Sequence, residues 1–142
     1  KETVTRFSRV GYDNTLGYLK GGIEAWEAAG KDIETIDSIS VDAFSKRFKN
    51  ETINVLDVRK DGEYKSEHLE GDNVQHFALD FMNAISKDKN YYIHCAGGYR
   101  SVIAASILKA RGFDKLVDIA DGFEAIKKSD LPTTDYVCPT TL

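Results

Sequence analysis

The sequence predicts an α/β domain with a mainly parallel central sheet, and three observations lead to this prediction. Short apolar segments rich in β-branched or aromatic residues alternate along the chain with segments of helical periodicity. The connections between these segments are short and contain glycine, aspartate or asparagine. With 142 residues and an apolar fraction of 42%, the chain is long enough to bury a core of this kind.

The predicted strands are short, and the clearest of them, residues 53–58, is almost continuously apolar. Such a run is typical of a parallel strand that is buried on both faces. Shorter apolar segments predict four further strands, over residues 16–19, 74–77, 91–94 and 116–119. Residues 31–37 are polar and are predicted to be a connector.

Helices are predicted between the strands, at segments that have an apolar face or a clear start or end signal. Ser40 is placed to cap one of them, in which Val41, Phe44 and Phe48 share a face. Gly30 and Gly112 stand where helices commonly end. The predicted helices cover residues 23–29, 41–48, 60–67, 79–85, 101–110 and 122–128.

Composition excludes several classes of function. A net charge of −4 gives no reason to expect nucleic acid or an anionic membrane as partner, and no apolar run approaches the length of a membrane span. The two cysteines do not make a disulfide framework, so we expect a reducing, cytoplasmic setting. His68, His76 and His94 have no metal-site spacing, so neither a metal nor another cofactor is expected.

The most informative stretch runs from Tyr91 to Ser101, where a predicted strand ends in Cys95 and a glycine-rich loop leads into a helix. The backbone N–H groups of residues 96–101 are placed to converge on the sulfur, and the helix adds the positive end of its dipole. Such a loop stabilises a thiolate, and also an anion that is bonded to the sulfur or approaches it. The alternative is a buried structural cysteine, which the glycines, the arginine and the helix start behind Cys95 disfavour.

The two ends of the chain echo each other. Residues 16–26 align with residues 116–126, and four of the eleven aligned pairs are identical: Leu16/Leu116, Gly22/Gly122, Glu24/Glu124 and Ala25/Ala125. Residues 11–13 similarly echo residues 112–114. Chance recurrence of similar strand–turn–helix units is one interpretation. We favour another, in which residues 1–34 are the tail and linker of a preceding unit and residues 35–142 form the domain that carries Cys95.

Residues 36–134 contain a series of separated motifs: Leu56-Asp57-Val58-Arg59, Glu63-Tyr64, His68-Leu69 with Gly71, the Cys95 loop, Arg111-Gly112-Phe113, Asp121-Gly122-Phe123-Glu124-Ala125 and Leu131-Pro132. By the identity and the order of these motifs, residues 36–134 resemble a rhodanese (sulfurtransferase) domain. Three positions depart from the commonest pattern: Glu67 replaces a glycine, and Phe123 and Ile126 replace frequent tryptophans. Because none of the three lies in the cysteine loop, we expect them to affect packing rather than catalysis.

The resemblance implies a three-layer fold with helices on both faces of the sheet, and it implies an activity. Cys95 would take a sulfane sulfur from thiosulfate or a low-molecular-weight persulfide and pass it, through a Cys95 persulfide, to a thiol, sulfite or cyanide. Asp57 and Arg59 would support the site, as an ion pair that fastens the loop after their strand or by touching substrate. The implied substrate-binding loop consists of Ala96, Gly97, Gly98, Tyr99, Arg100 and Ser101.

The length of the loop favours sulfur transfer over phosphate chemistry. Phosphatases that use a cysteine nucleophile place five residues between that cysteine and an arginine, whereas four residues separate Cys95 from Arg100 here. A tighter loop suits a single sulfur atom, because the directions of its N–H groups decide what it recognises. A cysteine phosphatase is therefore the third choice, after a sulfurtransferase and after a regulatory or interaction module of a persulfide-oxidising protein.

Other residues near the loop have two interpretations each. Arg100 either attracts an anionic donor or ties the loop to Asp57 or Glu63. His94 points to the other side of its strand from Cys95, which makes it a poor base, and a helix-end His68 is expected to bind the backbone. Cys138 is either an incidental surface cysteine or a second thiol that accepts sulfur from Cys95.

The segment 21–26 resembles the segment that comes after a metallo-β-lactamase-like domain in fusion proteins of the persulfide dioxygenase type. The resemblance implies a fused, metal-dependent N-terminal domain outside this chain. It also implies glutathione or other thiol persulfides as the compounds that the whole protein handles.

Overall fold

The computed structural model describes residues 4–5 and 14–138, and the chain divides into two compact units, residues 1–35 and 36–142. In the first unit, helix α1 (Gly22–Ala28) is close to its prediction, and Gly30 follows it with a φ of +66°. The strand predicted over residues 16–19 is wrong, because these residues are irregular. The echo of residues 11–13 lies outside the described residues.

The second unit begins with strand β1 (Asp37–Ile39) and contains alternating strands and helices. Its further elements are α2 (Val41–Asn50), β2 (Asn54–Asp57), α3 (Asp61–Ser66), β3 (Val74–His76), a 3₁₀ helix (Leu79–Ala84), β4 (Tyr91–His94), α4 (Tyr99–Lys109), β5 (Leu116–Ile119) and α5 (Gly122–Ile126). Ser40 caps α2 as predicted, since its hydroxyl accepts the Ala43 N–H at 3.3 Å.

The sheet of the second unit is parallel. Within the described residues it has five strands in the order β1-β5-β4-β2-β3, and each neighbouring pair runs in the same direction. The carboxyl ends of the strands therefore meet at one edge, where open α/β sheets usually bind their ligands. The predicted α/β class with a mainly parallel sheet is confirmed.

Helices cover both faces of this sheet. Successive residues of a strand point to opposite faces, so Leu56 and Ile93 enter one core with the α4 residues Ala105 and Leu108. Their chain neighbours enter a second core with α2 and α5 residues; its members include Phe44, Val55, Tyr92, Ile119, Phe123 and Ile126. The result is the expected three-layer arrangement.

Strand β1 is not among the predicted strands: Asp37 is the last residue of the predicted connector, and residues 38–39 lie between that connector and the cap residue Ser40. Its sequence, Asp-Ser-Ile, has little apolar signal, and it forms through pairing with β5, in which Ile39 stands opposite Ile119. The backbone N–H of Ala120 also donates to Ile39 O at 2.9 Å. A partner distant in the sequence thus decides the conformation of this edge strand.

Candidate active site

The candidate site is the loop between β4 and α4. All four residues of β4 are buried, and Cys95, which follows them, is 1% exposed. Gly98 ends the loop with a φ of +86° and precedes the first residue of α4. A residue with a side chain is strained in that left-handed conformation, so glycine permits the tight entry into the helix.

Three N–H groups of the loop converge on the sulfur of Cys95. They belong to Gly97, Arg100 and Ser101, and the Ser101 hydroxyl joins them; we call these four donors the sulfur cradle. Burial is the largest influence on Cys95 and raises the pKa of its thiol, but the cradle hydrogen bonds together outweigh it and lower the pKa. The site thus favours a thiolate, as a nucleophilic cysteine requires.

The Ser101 hydroxyl has one proton and two acceptors within reach. The side chain is fully buried, and its Oγ lies 3.0 Å from the Gly98 carbonyl oxygen, to which it donates. The Cys95 sulfur is the competing acceptor. Because hydrogen bonds to charged acceptors are the stronger ones, the proton turns to the sulfur when Cys95 ionises.

The start of helix α5 supports the loop from behind. The N–H of Phe123 donates to Cys95 O at 2.7 Å, and the N–H of Glu124 donates to Ala96 O at 2.9 Å. Gly122 makes this approach possible, because a Cβ on it would lie 2.4 Å from Cys95 O. The backbone of position 123 thus supports the loop whichever side chain it carries, and the expectation that the replacement of tryptophan by Phe123 affects packing rather than catalysis stays a prediction.

Sequence reasoning did not include the turn before α5 among the site residues. Asp121 and Gly122 both have a positive φ, of 59° and 54°. Asp121 is the only non-glycine residue with a positive φ in the described part of the chain. The Asp-Gly pair at the start of a helix was the available signal.

Asp57 and Arg59 form a buried ion pair at the end of β2. Nε of Arg59 donates to both carboxylate oxygens at 2.9 Å, and Nη2 lies 2.5 Å from Oδ2. The guanidinium also donates to Glu67 O at 2.9 Å and lies 3.8 Å from the centroid of the Phe123 ring. The ion pair therefore connects the end of β2 to the backbone of Glu67 and to Phe123 at the start of α5.

Arg100 directs its side chain to helix α3. Its two terminal nitrogens lie 2.7 and 2.9 Å from the carboxylate oxygens of Glu63. The hydrogen bond from Arg100 is the main reason that the pKa of Glu63 falls to about 2. Of the two roles considered for Arg100, the geometry favours anchoring the loop, while its backbone N–H serves the sulfur.

His94 is fully buried and is directed to the backbone and to Asp57. Its Nδ1 lies 3.3 Å from Cys95 O, and its Nε2 lies 3.8 Å from Asp57 Oδ2 without a hydrogen bond. Burial is the main reason that its pKa is lowered. His68 binds the backbone as expected, with Nδ1 2.8 Å from Tyr64 O.

The remaining predicted residues lie at the surface. Tyr99, the first residue of α4, is 79% exposed, and Cys138 is exposed in the last described part of the chain. Among the described residues, no group of three or more potential ligands is arranged to hold a metal ion. No helix in this part of the chain has the length and apolar character needed to cross a bilayer.

Comparisons with known proteins identify the family to which the domain around Cys95 belongs. The family model of the rhodanese-like domain matches residues 40–129. The putative sulfur carrier protein YrkF of Bacillus subtilis is 33% identical over 108 residues, which cover 72% of this chain and 55% of the relative. The chain thus spans about half the length of that curated relative.

Solved structures share the fold. A rhodanese-like domain protein from Staphylococcus aureus aligns with a TM-score of 0.59 and 28% identity, over 68% of this chain and 97% of the other. The SSP1007 protein of Staphylococcus saprophyticus aligns with a TM-score of 0.60 and 22% identity, over 68% and 99%. From residue 40 to residue 129, this chain belongs to the rhodanese-like domain family.

Proposed function

We propose that this chain is a sulfurtransferase that carries a sulfane sulfur on Cys95. One observation carries the proposal: a buried cysteine whose pKa is lowered by a cradle of N–H donors and the Ser101 hydroxyl. The cradle donors are directed at a single atom, the Cys95 sulfur, to which the transferred sulfur is bonded in the proposed persulfide. The relative named as a putative sulfur carrier supports the same chemistry.

The transfer takes place in two displacements. The Cys95 thiolate attacks the outer sulfur of the donor, the donor S–S bond breaks, and sulfite leaves from thiosulfate or a thiolate leaves from a persulfide. The N–H groups of the loop stabilise the negative charge of the new persulfide. An acceptor thiolate, sulfite or cyanide then attacks that sulfur, and the Cys95 thiolate is regenerated.

The residues around the cradle hold it in shape during both steps. The N–H groups of Phe123 and Glu124 hold the loop carbonyls, and the Arg100–Glu63 pair ties the start of α4 to α3. The Asp57–Arg59 pair supports the neighbouring strand end. These contacts keep the donors fixed while charge moves onto the sulfur, which is how a preorganised site stabilises charge.

Mass spectrometry of the intact protein after thiosulfate treatment tests the proposal. We expect a gain of one sulfur atom on Cys95, its loss on addition of cyanide with release of thiocyanate, and neither event in Cys95→Ser. A protein that gains no sulfur from thiosulfate or from an organic persulfide would instead be a regulatory or interaction module. Hydrolysis of a phosphate ester that depends on Cys95 would favour the phosphatase.

The arrangement of the whole protein is part of the proposal. Residues 1–34 are the tail and linker of a preceding rhodanese-like unit, and residues 35–142 are the catalytic domain. A metallo-β-lactamase-like domain further upstream, in a cytoplasmic protein that oxidises persulfides, stays a prediction. It requires an H-x-H-x-D-H motif in the polypeptide that precedes residue 1, and sequencing of that region tests it.

A further inference from the structure

Asp121, at the turn before α5, has a backbone conformation that its residue type disfavours. Its φ is +59°, whereas the aligned residue of segment 16–26 is Gly21, with a φ of +87°. A left-handed conformation is strained for a residue with a Cβ and is not strained for glycine. Strained residues of this kind cluster at functional sites, where the side chain has a use.

The Asp121 carboxylate has no structural partner among the described residues. An aspartate that precedes a helix commonly accepts a hydrogen bond from an N–H group of the first turn, but Asp121 makes no such cap on α5. It forms no ion pair in the described part of the chain either, and the residue is exposed. Neither capping nor a salt bridge therefore accounts for an aspartate at this position.

Asp121 lies directly beside the loop that carries Cys95. A Cβ on Gly98, which ends the loop, would lie 3.5 Å from the backbone nitrogen of Asp121 and 4.0 Å from its Cα. The N–H groups of Phe123 and Glu124 donate to the carbonyls of residues 95 and 96. The segment that begins with Asp121 is thus packed along the loop, and the exposed carboxylate adds a negative charge next to the site.

The basic side chains near the loop do not cancel this charge. Three of them are each paired with a carboxylate: Arg100 with Glu63, Arg59 with Asp57 and Lys127 with Glu67. Each of these pairs is nearly neutral when seen from a distance. Glu124 adds a second carboxylate at the same helix start, which Lys127 balances in part.

We propose that Asp121 is a specificity-determining residue of the Cys95 site, whose carboxylate slows the approach of anionic reagents relative to uncharged or cationic ones. The physical basis is Coulomb repulsion, which grows with the charge of the reagent and weakens with salt. For the proposed sulfur transfer, on which this consequence rests, Asp121 disfavours dianionic thiosulfate more strongly than a donor with a single negative charge.

Alkylation of Cys95 by iodoacetate and by iodoacetamide measures this selectivity without requiring sulfur transfer. The two reagents have nearly the same shape and differ by one negative charge, and with both of them the Cys95 thiolate displaces iodide. Asp121→Asn removes the charge and keeps a residue type that tolerates the left-handed conformation. We expect it to raise the ratio of iodoacetate to iodoacetamide rates about threefold at low salt, and to lose most of this gain in about 1 M salt. Peptide mass spectrometry separates Cys95 from the exposed Cys138.

Asp114→Asn is the matched control. Asp114 and Asp121 are exposed aspartates on either side of β5. Because β4 and β5 are parallel, the residues before β5 lie at the edge of the sheet opposite to Cys95, which follows β4. Asp114→Asn removes the same charge and should leave the ratio unchanged. An unchanged ratio in Asp121→Asn, or equal ratios in the two asparagine variants, would overturn the proposal.

Asp121→Gly separates charge from backbone strain. Glycine removes the carboxylate and also relieves the strained conformation, so this variant should shift the ratio as much as Asp121→Asn does. A shift in Asp121→Gly without one in Asp121→Asn would show that the backbone is responsible, and would overturn the proposal.

Thiosulfate loading distinguishes this proposal from the proposed function. Asp121→Asn should form the Cys95 persulfide from thiosulfate about tenfold faster than the wild-type protein at low salt, because the donor carries two charges. If neither protein takes up sulfur from thiosulfate or from an organic persulfide, the sulfurtransferase function is removed. The alkylation ratio still decides the role of Asp121 in that case.

Discussion

Residues 16–26 and residues 116–126 start a helix in the same way. The residue before each helix has a left-handed conformation, with a φ of 87° at Gly21 and 59° at Asp121. The first helical residue is a glycine with a positive φ in both, 64° at Gly22 and 54° at Gly122. Two successive residues of positive φ are uncommon, so the echo in the sequence is also an echo in the backbone.

The two regions differ in what covers them. Four aligned positions carry a large apolar residue in both regions. Those of the second region are at most 6% exposed, whereas those of the first are 41–92% exposed. The aligned pairs are Leu16/Leu116, Leu19/Ile119, Ile23/Phe123 and Trp26/Ile126. Residues 116–119 form a strand between β1 and β4, while residues 16–19 are irregular.

The difference in burial between the two regions shows which element forms alone and which needs a partner: both regions contain the helix, but only the second contains the strand. A helix makes its hydrogen bonds within its own segment, so α1 forms although its large apolar residues are exposed, just as α5 forms in a core. A strand leaves its N–H and C=O groups open unless neighbours pair with them. The comparison supports the proposal that a sheet like that of residues 36–142 precedes residues 14–35. Four predictions test or sharpen the comparison of the two regions, and the last of them tests the preceding sheet.

The largest expected effect concerns stability. Ile119 is fully buried, so Ile119→Ala should lower the free energy of unfolding by about 3 kcal/mol, through lost apolar contact and a cavity. Leu19→Ala, at the aligned and half-exposed position, should change it by less than about 0.5 kcal/mol. Urea denaturation of both variants measures this. A Leu19→Ala variant as unstable as Ile119→Ala would mean that the first region is packed as tightly as the second.

The next prediction concerns the glycine that starts each helix. Gly122→Ala places a Cβ 2.4 Å from Cys95 O, so the loop must shift, and we expect Cys95 persulfide formation to slow about 100-fold. Gly22→Ala is the matched control, because its Cβ would meet only the end of the Glu24 side chain, at 3.0 Å. It should leave the rate within twofold. Normal loading of Gly122→Ala would show that the turn before α5 does not position the loop.

The site could be predicted from the sequence only in part, and the contact that Gly122 makes belongs to the part that could not. Strand β4 and the loop after it were predictable, because an apolar run, two glycines and a helix start are consecutive in the chain. The contact of Gly122 with Cys95 was not, because it joins segments that are far apart in the sequence. The predicted strand over residues 16–19 failed for the related reason that an apolar pattern does not reveal whether a partner strand is present.

Ion pairs likewise were easier to predict between residues close in the sequence than between distant segments. Asp57 and Arg59 are two residues apart, and their pairing was one of the two roles considered. Glu63 was one of two partners considered for Arg100, and only the packing of α3 beside α4 selected it. The Ser101 hydroxyl was placed in the loop from the sequence, but its two acceptors depend on the turn at Gly98.

A smaller effect is expected when one donor is removed from the sulfur cradle, whose loop is held by backbone contacts from residues 123 and 124. Ser101→Ala removes a hydrogen bond that lowers the pKa of Cys95. The pKa should rise, and the rate of Cys95 alkylation should fall about tenfold at a pH below that pKa. At a pH above the pKa in both proteins the rates should converge, because Cys95 is then ionised in each.

Ser106→Ala is the matched control for this prediction. Ser106 is on the same helix, but its hydroxyl donates to Val102 O at 2.9 Å at the surface. Its profile of alkylation rate against pH should coincide with that of the wild-type protein. Coincident profiles for Ser101→Ala and the wild-type protein would remove Ser101 from the cradle.

The smallest expected effect concerns Trp26, the single tryptophan of the sequence. In this chain it is 41% exposed, while the aligned Ile126 is fully buried in a core. Hydroxyl-radical footprinting with mass spectrometry should show ready oxidation of Trp26 in the 142-residue chain. In a polypeptide that includes the proposed preceding unit, oxidation should be about threefold slower. Tyr99, which is 79% exposed, should react equally in both and serves as the control. Equal oxidation of Trp26 in the two polypeptides would show that no preceding sheet covers α1, and the echo would then be a recurrence of local structure alone.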